Sequence, residues 1–391
     1  MTVSDSKVDE LARDAIRHAA TGDFAGAERL FARVVAARPN SGQALHLLGQ
    51  VRLKLGRFAE AREPLDRAAR FLPRDAAAQI NLAGCLSMLG DHAPALAALD
   101  RAAALKPGDP AIAHNRGRAL EALGRAEEAE RAFDEALSID HRLVPSLSAR
   151  ARLLAARGDW MGALADLDMA LTTRPDDAAL RLRRGELLLE RGDWLRGLDD
   201  HEARLDLPGE RYAPDLPRWR GEPLDGRLLV YPEQADIESG AARRDTLMLA
   251  RGVDAVVQCG PTLAPLLGGS TIVRGAGLDG FAAAAPLRSL PHLLGWTLYS
   301  LPPPPPLAVV AQPDGRVGWF TDAAPPDGQS IERDPANIAR CARVVGDDVW
   351  PTHLAARLGI PTTLTAGPRW DWLWGPEPGP SPWYARLEVV Q

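Results

Sequence analysis

The chain has 391 residues, of which 46% are hydrophobic and 25% are charged, and its formal net charge is −6. This length and apolar content suffice for two or three domains with cores of their own. A net negative chain lacks the basic surface that binding to a phosphate backbone requires, so we expect no nucleic-acid partner.

The cysteines and the apolar stretches exclude further classes of protein. Cys85, Cys259 and Cys341 are far apart and lack CxxC spacing, which predicts neither a disulfide framework nor a zinc or other metal site. The N-terminus is polar, and the most apolar later stretch, 280–301, is interrupted by charged residues and prolines. We therefore expect a cytoplasmic protein without a membrane span, and the sequence leaves its oligomeric state open.

The first half of the chain is a periodic array. Glycine recurs every 34 residues, and a proline column, an alanine column and a second column of small residues keep the same step; the glycines are at 22, 56, 90, 124, 158 and 192. Each unit is predicted to form two amphipathic helices, the first ended by glycine and the second by proline. This pattern resembles the tetratricopeptide repeat, and about six repeats fill residues 1–205. The fold predicted for this part is an all-α superhelix.

The resemblance implies a concave groove that is lined by the first helix of each repeat and binds a protein or peptide. The residues predicted on that face are His46, Gln50, Asn81, His114, Asn115 and Arg118. Asn81 and Asn115 hold the same position in consecutive repeats, similar to a short asparagine ladder of the O-linked N-acetylglucosamine transferases. Amide side chains can pair with any peptide backbone. The alternative is that all six are ordinary solvated groove residues.

After a linker at 206–217 the period stops and short apolar runs alternate with helical segments. This alternation predicts an α/β layer structure with a largely parallel sheet over residues 218–391. The predicted helices are 241–251, 262–267 and 352–358. The predicted strands are 228–231, 254–259, 270–275, 307–312, 316–321, 342–347 and 362–366.

Two motifs of this half resemble a known family. The first is W-x-G-E-x-L-x-G-x-L-L-x-x-x-E-Q, from Trp219 to Gln234, and the second is "GDDVWPTHLAARLGIP" at 346–361. They resemble a bacterial family in which tetratricopeptide repeats are fused to a GT-B glycosyltransferase similar to the heptosyltransferases. The resemblance implies two Rossmann-like lobes with a nucleotide-sugar donor between them. On that basis Asp348 and His353 match the donor-binding motif, and Glu238 falls where a catalytic carboxylate is expected.

Three departures from the family pattern bear on activity. Ala235 and Ile237 replace two glycines whose backbone must approach the substrate closely. Val349, Trp350 and Pro351 replace small residues and remove an amide donor at the donor site. Residues 218–391 are also few for two lobes, which together take roughly 250–350 residues. We therefore predict a shortened, degenerate Rossmann-like GT-B domain that holds no cofactor.

The sequence leaves three functions open. The first is a binding scaffold in which the repeats bind a protein or peptide and the second domain is inactive. The second is an active protein O-glycosyltransferase that uses a nucleotide-sugar donor, with the repeats presenting the acceptor protein. The third is a co-chaperone, for whose basic clamp Lys54 and Arg118 are too isolated. The tryptophans within 369–375 are open to two interpretations, core packing or a surface that stacks on a sugar.

Overall fold

The computed structural model describes residues 5–209, 212–267, 271–297, 300–304, 307–320, 333–365 and 379–390. The chain divides into two compact units, Met1–Pro175 and Asp176–Gln391. Among the described residues no helix is both long enough and apolar enough to cross a membrane.

The first unit is a stack of helix–turn–helix pairs, as the 34-residue period predicts. Its helices are α1 Asp5–Ala20, α2 Phe24–Ala37, α3 Gly42–Lys54, α4 Phe58–Phe71, α5 Ala76–Met88, α6 His92–Leu105, α7 Pro110–Ala122, α8 Ala126–Ile139, α9 Val144–Ala156 and α10 Trp160–Thr173.

The glycine column ends the first helix of each pair, which confirms its predicted role. Gly56 has a φ of +72°, in the left-handed region where a side chain is strained. The N–H groups of Gly56 and Arg57 donate to the carbonyls of Leu53 and Arg52 at 3.0 and 2.9 Å. These two bonds pair carbonyls that the end of α3 would otherwise leave without partners.

The second column of small residues lets paired helices approach closely. A Cβ atom added to Gly49 would lie 2.4 Å from the side chain of Leu65, and one added to Gly117 would lie 2.4 Å from the ring of Phe133. Both distances are shorter than van der Waals contact. These two positions therefore accept little more than a hydrogen atom, which accounts for their glycines.

An ion-pair column that the sequence analysis did not identify also joins neighbouring pairs. Arg116 of α7 donates to Asp100 of α6 at 2.9 Å. One repeat later, Arg150 of α9 donates to Asp134 of α8 at 2.6 Å and to Asp166 of α10 at 2.7 Å. The 34-residue spacing of Arg116 and Arg150, repeated between Asp100 and Asp134, is the sequence signal of this column.

The second unit begins with a helix pair and continues into a parallel sheet of four strands. The helices are α11 Ala178–Glu190, α12 Trp194–His201, α13 Gly240–Leu249, α14 Ala264–Leu267 and α15 Leu290–Leu293, and a 3-10 turn covers Glu202–Asp206. The strands are β1 Arg227–Tyr231, β2 Val256–Cys259, β3 Thr271–Val273 and β4 Phe281–Pro286. Their order is β3-β2-β1-β4, and every pairing is parallel.

A second, mixed sheet of five strands follows. Its strands are β5 Arg316–Phe320, β6 Cys341–Asp347, β7 Thr362–Thr365, β8 Gly379–Pro380 and β9 Leu387–Val390, with helices α16 Pro335–Ala339 and α17 Trp350–Arg357. The order is β5-β6-β7-β9-β8, and only the β8–β9 pairing is antiparallel among the described strands. The α/β prediction holds at this level, and a GT-B arrangement of two Rossmann-like lobes stays a prediction.

One predicted strand is not formed, and three strands of the described residues, β4, β8 and β9, are not predicted by the sequence. Residues 307–312 are not a strand: Val310 is 75% exposed, and the N–H groups of Ala308 and Gln312 donate to Leu266 and Ala339, which belong to no strand. The sequence does not predict β4, since its alanines have little strand propensity. Pairing with β1 fixes its extended form instead.

The last helix pair is part of the core of the second unit. The rings of Trp194 in α12 and Trp383 have centroids 6.1 Å apart. The apolar residues of this core include Leu189, Trp194, Leu198, Trp219, Trp296 and Trp383. The compact units thus divide before this helix pair, whereas the predicted domain boundary falls after it. The limits 1–205, 206–217 and 218–391 stay a prediction.

Candidate functional site

A pocket of about 400 Å³ lies in the first unit, where α3, α5 and α7 adjoin. Its apolar wall includes Leu53, Ile80 and Met88. Its polar lining residues are Asn81, Ser87, His92, Asn115 and Arg118. We call it the α5–α7 pocket. It brings together three of the six predicted groove residues, namely Asn81, Asn115 and Arg118.

The repeat period builds this pocket from equivalent positions. Asn81, Gly84 and Met88 lie three and four residues apart, on one face of α5. Asn115 and Arg118 hold the matching positions on α7. No atom lies within 4 Å of the position that a Cβ atom of Gly84 would take, so this glycine leaves the pocket open toward α7.

Asn81 is held inside the stack by a histidine of the preceding repeat. Its amide nitrogen lies 2.7 Å from Nε2 of His46, and because an amide NH₂ can only donate, His46 accepts. Burial lowers the pKa of His46, which favours the neutral ring that this bond requires. His46 therefore supports Asn81 from behind, and it is not among the residues that line the pocket.

The other predicted residues of the face, His114 and Gln50, lie outside the pocket lining. Nδ1 of His114 is 2.9 Å from Oγ of Ser146, and its ring centroid is 5.6 Å from that of Phe133. Burial lowers the pKa of His114, and the charge of Arg118 adds to this effect. His114 thus joins consecutive repeats. Gln50 is exposed on α3.

Asn115 and Arg118 differ from these residues because their side chains have no hydrogen bond or ion pair to any described residue. By contrast, Arg152, one repeat after Arg118, donates to Glu121 at 2.7 Å. Asn115 offers two donors and an acceptor, and Arg118 offers five donors and a positive charge. The pocket therefore combines an apolar wall with polar groups that are available to a ligand.

In the second unit, Asp348 and His353 are in contact with each other. Oδ1 of Asp348 is 2.8 Å from Nε2 of His353, and Oδ2 accepts from Nη1 of Arg244 at 2.9 Å. Burial acts to raise the pKa of Asp348, but the hydrogen bond from His353 and the charge of Arg244 outweigh it and lower the pKa to about 2. The side chain of His353 is fully buried. Both residues serve here as internal contacts.

The same ion-pair network continues into the first sheet's helix. Asp245 is 1% exposed and accepts from Arg288 at 2.8 Å, from Arg244 at 3.3 Å and from Gln234 at 2.8 Å. Burial opposes ionisation of Asp245, yet the charges of Arg288 and Arg244 lower its pKa. Through Arg244 the network joins α13 to Asp348, directly before α17.

Glu238, the predicted catalytic residue, accepts from three groups. Its carboxylate accepts from the hydroxyl of Thr262 at 2.7 Å, from the Thr262 N–H at 3.2 Å and from Nε of Arg243 at 2.9 Å. Burial acts to raise the pKa of Glu238, but the bonds from Thr262 and Arg243 lower it. A general base works best with a pKa near the working pH, so these contacts oppose that role.

Trp350, two residues after Asp348, is part of an apolar core cluster. Trp350 is 4% exposed and packs with Phe320, Leu354 and other apolar side chains. The guanidinium of Arg243 lies 5.0 Å from the centre of its ring. The tryptophans within 369–375, for which the sequence leaves core packing and sugar stacking open, lie outside the described residues.

Glu233, from the Glu-Gln end of the first family-like motif, also has an internal partner. It accepts from Arg204 at 3.0 Å, and Arg204 further donates to Ser289 at 2.8 Å. Arg204 and Arg244 could not be identified from the sequence, because their partners lie 29 and 104 residues away along the chain. In the described part of the chain no group of three or more metal-ligating side chains could hold an ion.

Comparisons with known proteins agree with the periodicity. Tetratricopeptide repeat family models match residues 18–83 and, in a second version, residues 65–110, 89–146 and 148–207. No curated protein matches the chain.

The similar solved structures include three tetratricopeptide repeat proteins. TTC0263, a thermophilic tetratricopeptide repeat protein of Thermus thermophilus, is 26% identical over 46% of this chain and 99% of its own, with a TM-score of 0.37. A tetratricopeptide repeat protein of Parabacteroides merdae is 21% identical over 51% of this chain and 80% of its own, with a TM-score of 0.46. YrrB, described as having an unusual peptide-binding site, is 20% identical over 44% and 88%, with a TM-score of 0.40.

Proposed function

We propose that this chain, whose residues 18–207 are tetratricopeptide repeats, is a scaffold that binds a protein or peptide segment in the α5–α7 pocket. The observation that carries the proposal is the pair of available polar side chains, Asn115 and Arg118, beside an apolar wall. Ligand pockets commonly combine apolar lining with a few polar groups that set orientation.

Each part of the pocket has a role in this function. The wall around Leu53, Ile80 and Met88 takes an apolar side chain, whose burial contributes about 1.5–3 kcal/mol. Asn115 pairs with the peptide backbone, and Arg118 pairs with a carbonyl or a carboxylate. Asn81, held by His46, keeps the base of the pocket rigid.

Peptide selection tests this proposal. Randomised dodecapeptides displayed on phage are selected against the full chain, and the best sequence is synthesised with a fluorescent label and titrated by anisotropy. The double variant Asn115→Ala with Arg118→Ala should bind at least about tenfold more weakly, since two hydrogen bonds are lost. Arg131→Ala, which removes the same charge from α8 outside the pocket lining, should bind as the wild type does. Equal affinity of the double variant would overturn the proposal.

We further propose that the second unit is a non-catalytic part of the scaffold and needs no nucleotide-sugar. The contacts of Asp348 and Glu238 support this, because both carboxylates are paired with arginines. The active O-glycosyltransferase alternative requires at least one of them to be available to a substrate.

Calorimetry with UDP-, GDP- and ADP-sugars separates the two alternatives. We expect no binding heat for any of these donors. Micromolar affinity for one of them, lost in Asp348→Ala, would contradict the non-catalytic assignment and favour the transferase.

A further inference from the structure

The described lining of the α5–α7 pocket carries positive charge and no negative charge. None of its described lining residues is acidic, and Arg118 is its only lysine or arginine. The nearest acidic residue further along α7, Glu121, is already paired with Arg152. An unpaired guanidinium beside an apolar wall favours an anion, because charge-assisted hydrogen bonds are stronger than neutral ones.

The apolar wall suits one large side chain. Met88 is 61% exposed and lies in the wall with Leu53 and Ile80. Methionine is flexible and polarisable, so it adapts to apolar groups of different shape. A volume of about 400 Å³ is also within the range of pockets that hold organic ligands.

The pocket lies in the middle of the first unit. Two helix pairs precede α5, and the helices of two further pairs follow α6. Groove-face residues continue on both sides, with Gln50 on α3 and Arg152 on α9. A bound segment can therefore enter and leave along the face, which fits an internal stretch of a polypeptide better than a chain end.

We infer that the pocket selects an internal peptide segment that combines a large apolar side chain with a nearby acidic one. The apolar side chain packs on Met88, and the carboxylate accepts from Arg118 while Asn115 holds the backbone between them. This inference rests on the proposed function and adds the class of sequence that the pocket takes.

Three octapeptide pools test the inference on the full chain. All carry an N-acetyl group, a fluorescent label and uncharged residues at the varied positions. The first has a central Leu-Glu and an amidated end, the second a central Leu-Gln and an amidated end, and the third a central Leu-Gln and a free terminal carboxylate. We expect the Leu-Glu pool to bind about tenfold tighter than either Leu-Gln pool.

Arg118→Gln should remove this preference, so that the variant binds the Leu-Glu pool and the amidated Leu-Gln pool with equal affinity. Arg131→Gln, the matched charge control, should keep the preference. Equal binding of all three pools, or a preference that persists in Arg118→Gln, would overturn the inference and leave the proposed function standing. Equal affinity of the free-carboxylate and Leu-Glu pools would overturn the internal-segment choice. Failure of every pool to bind would overturn both the inference and the proposed function.

Discussion

Asn81 and Asn115 hold the same position in consecutive repeats, yet their side chains have different partners. Asn81 donates to His46, and Asn115 has no partner among the described residues. The sequence predicts that the two residues share a face, because the period fixes it. It could not predict the difference, which depends on a histidine 35 residues earlier along the chain.

The two asparagines should therefore respond differently to truncation. Asn81→Ala should lower the free energy of unfolding by about 1 kcal/mol, since a half-buried hydrogen bond is lost. Asn115→Ala should change it by less than about 0.5 kcal/mol and should weaken peptide binding. Urea unfolding together with peptide titration checks both values. An equal loss of stability in Asn115→Ala and Asn81→Ala would contradict the assignment of a structural role to Asn81 alone.

The lowered pKa of Asp348 makes the stability of the fold depend on pH. Its pKa in the folded chain is about 2, below the ordinary 3.8. A lowered carboxyl pKa stabilises the fold above pH 3.8, and this stabilisation is lost as the pH falls toward 2. The shift corresponds to about 2 kcal/mol.

Asp348→Asn should consequently reduce the free energy of unfolding by about 2 kcal/mol at pH 7, with a smaller difference from wild type below pH 4. Urea unfolding between pH 7 and pH 3 measures this. The exposed Asp279→Asn is the control and should show no such pH-dependent difference. A difference for Asp348→Asn that stays constant with pH would argue against the buried pair.

The helices of the array follow from local rules, whereas β4 of the second unit does not. Glycine ends a repeat helix because it allows the left-handed backbone conformation, and proline ends one because it cannot continue the helix, so these ends could be predicted from the sequence. Strand β4 and the irregular segment 307–312 depend instead on whether a neighbouring strand is present. Pairing with β1 makes the alanine-rich β4 extended, and the apolar run at 307–312 has no such partner.

Two glycines of the first helices provide a matched test of helix packing. Gly117→Ala should destabilise the first unit by about 1–3 kcal/mol, because its Cβ would overlap the ring of Phe133. Gly84→Ala should stabilise it by up to about 1 kcal/mol, because alanine favours a helix and meets no atom within 4 Å. Thermal unfolding of the two variants compares them directly. Similar changes in both would show that helix propensity alone decides.

For the whole molecule, the main finding is that the last helix pair is built into the core of the second unit. The period assigns α11 and α12 to the array, since they continue its spacing. Packing assigns both helices to the second unit, because the ring of Trp194 packs near that of Trp383, which lies 189 positions further along the chain. No local pattern in the sequence could indicate that contact.

Two truncated chains test this division. A chain of residues 1–175 should be folded and cooperative. A chain of residues 1–205 should expose Leu189, Trp194 and Leu198, whose core partners include Trp219, Trp296 and Trp383 of the missing part. Hydrogen exchange at 178–201 should then be much faster in the 1–205 chain than in the full chain. If residues 178–201 were equally protected from hydrogen exchange in both chains, α11 and α12 would belong with the repeat array.

In the second unit, the position of a motif and the partners of its polar side chains have different origins. The two family-like motifs coincide with β1 and with β6–α17. Glu233 and Asp348, one from each motif, are paired with Arg204 and Arg244, which lie 29 and 104 residues away along the chain. Motif spacing cannot predict such pairing, because it is settled only by tertiary packing.

Methionine methyl NMR tests directly whether the α5–α7 pocket binds the peptide, as we propose. Met88 lines the pocket, Met161 and Met169 are exposed on α10, and Met248 is buried in the second unit. On titration with the selected peptide, we expect a shift of the Met88 signal and unchanged signals for the other three. A peptide that shifts Met161, Met169 or Met248 and leaves Met88 unchanged would contradict it.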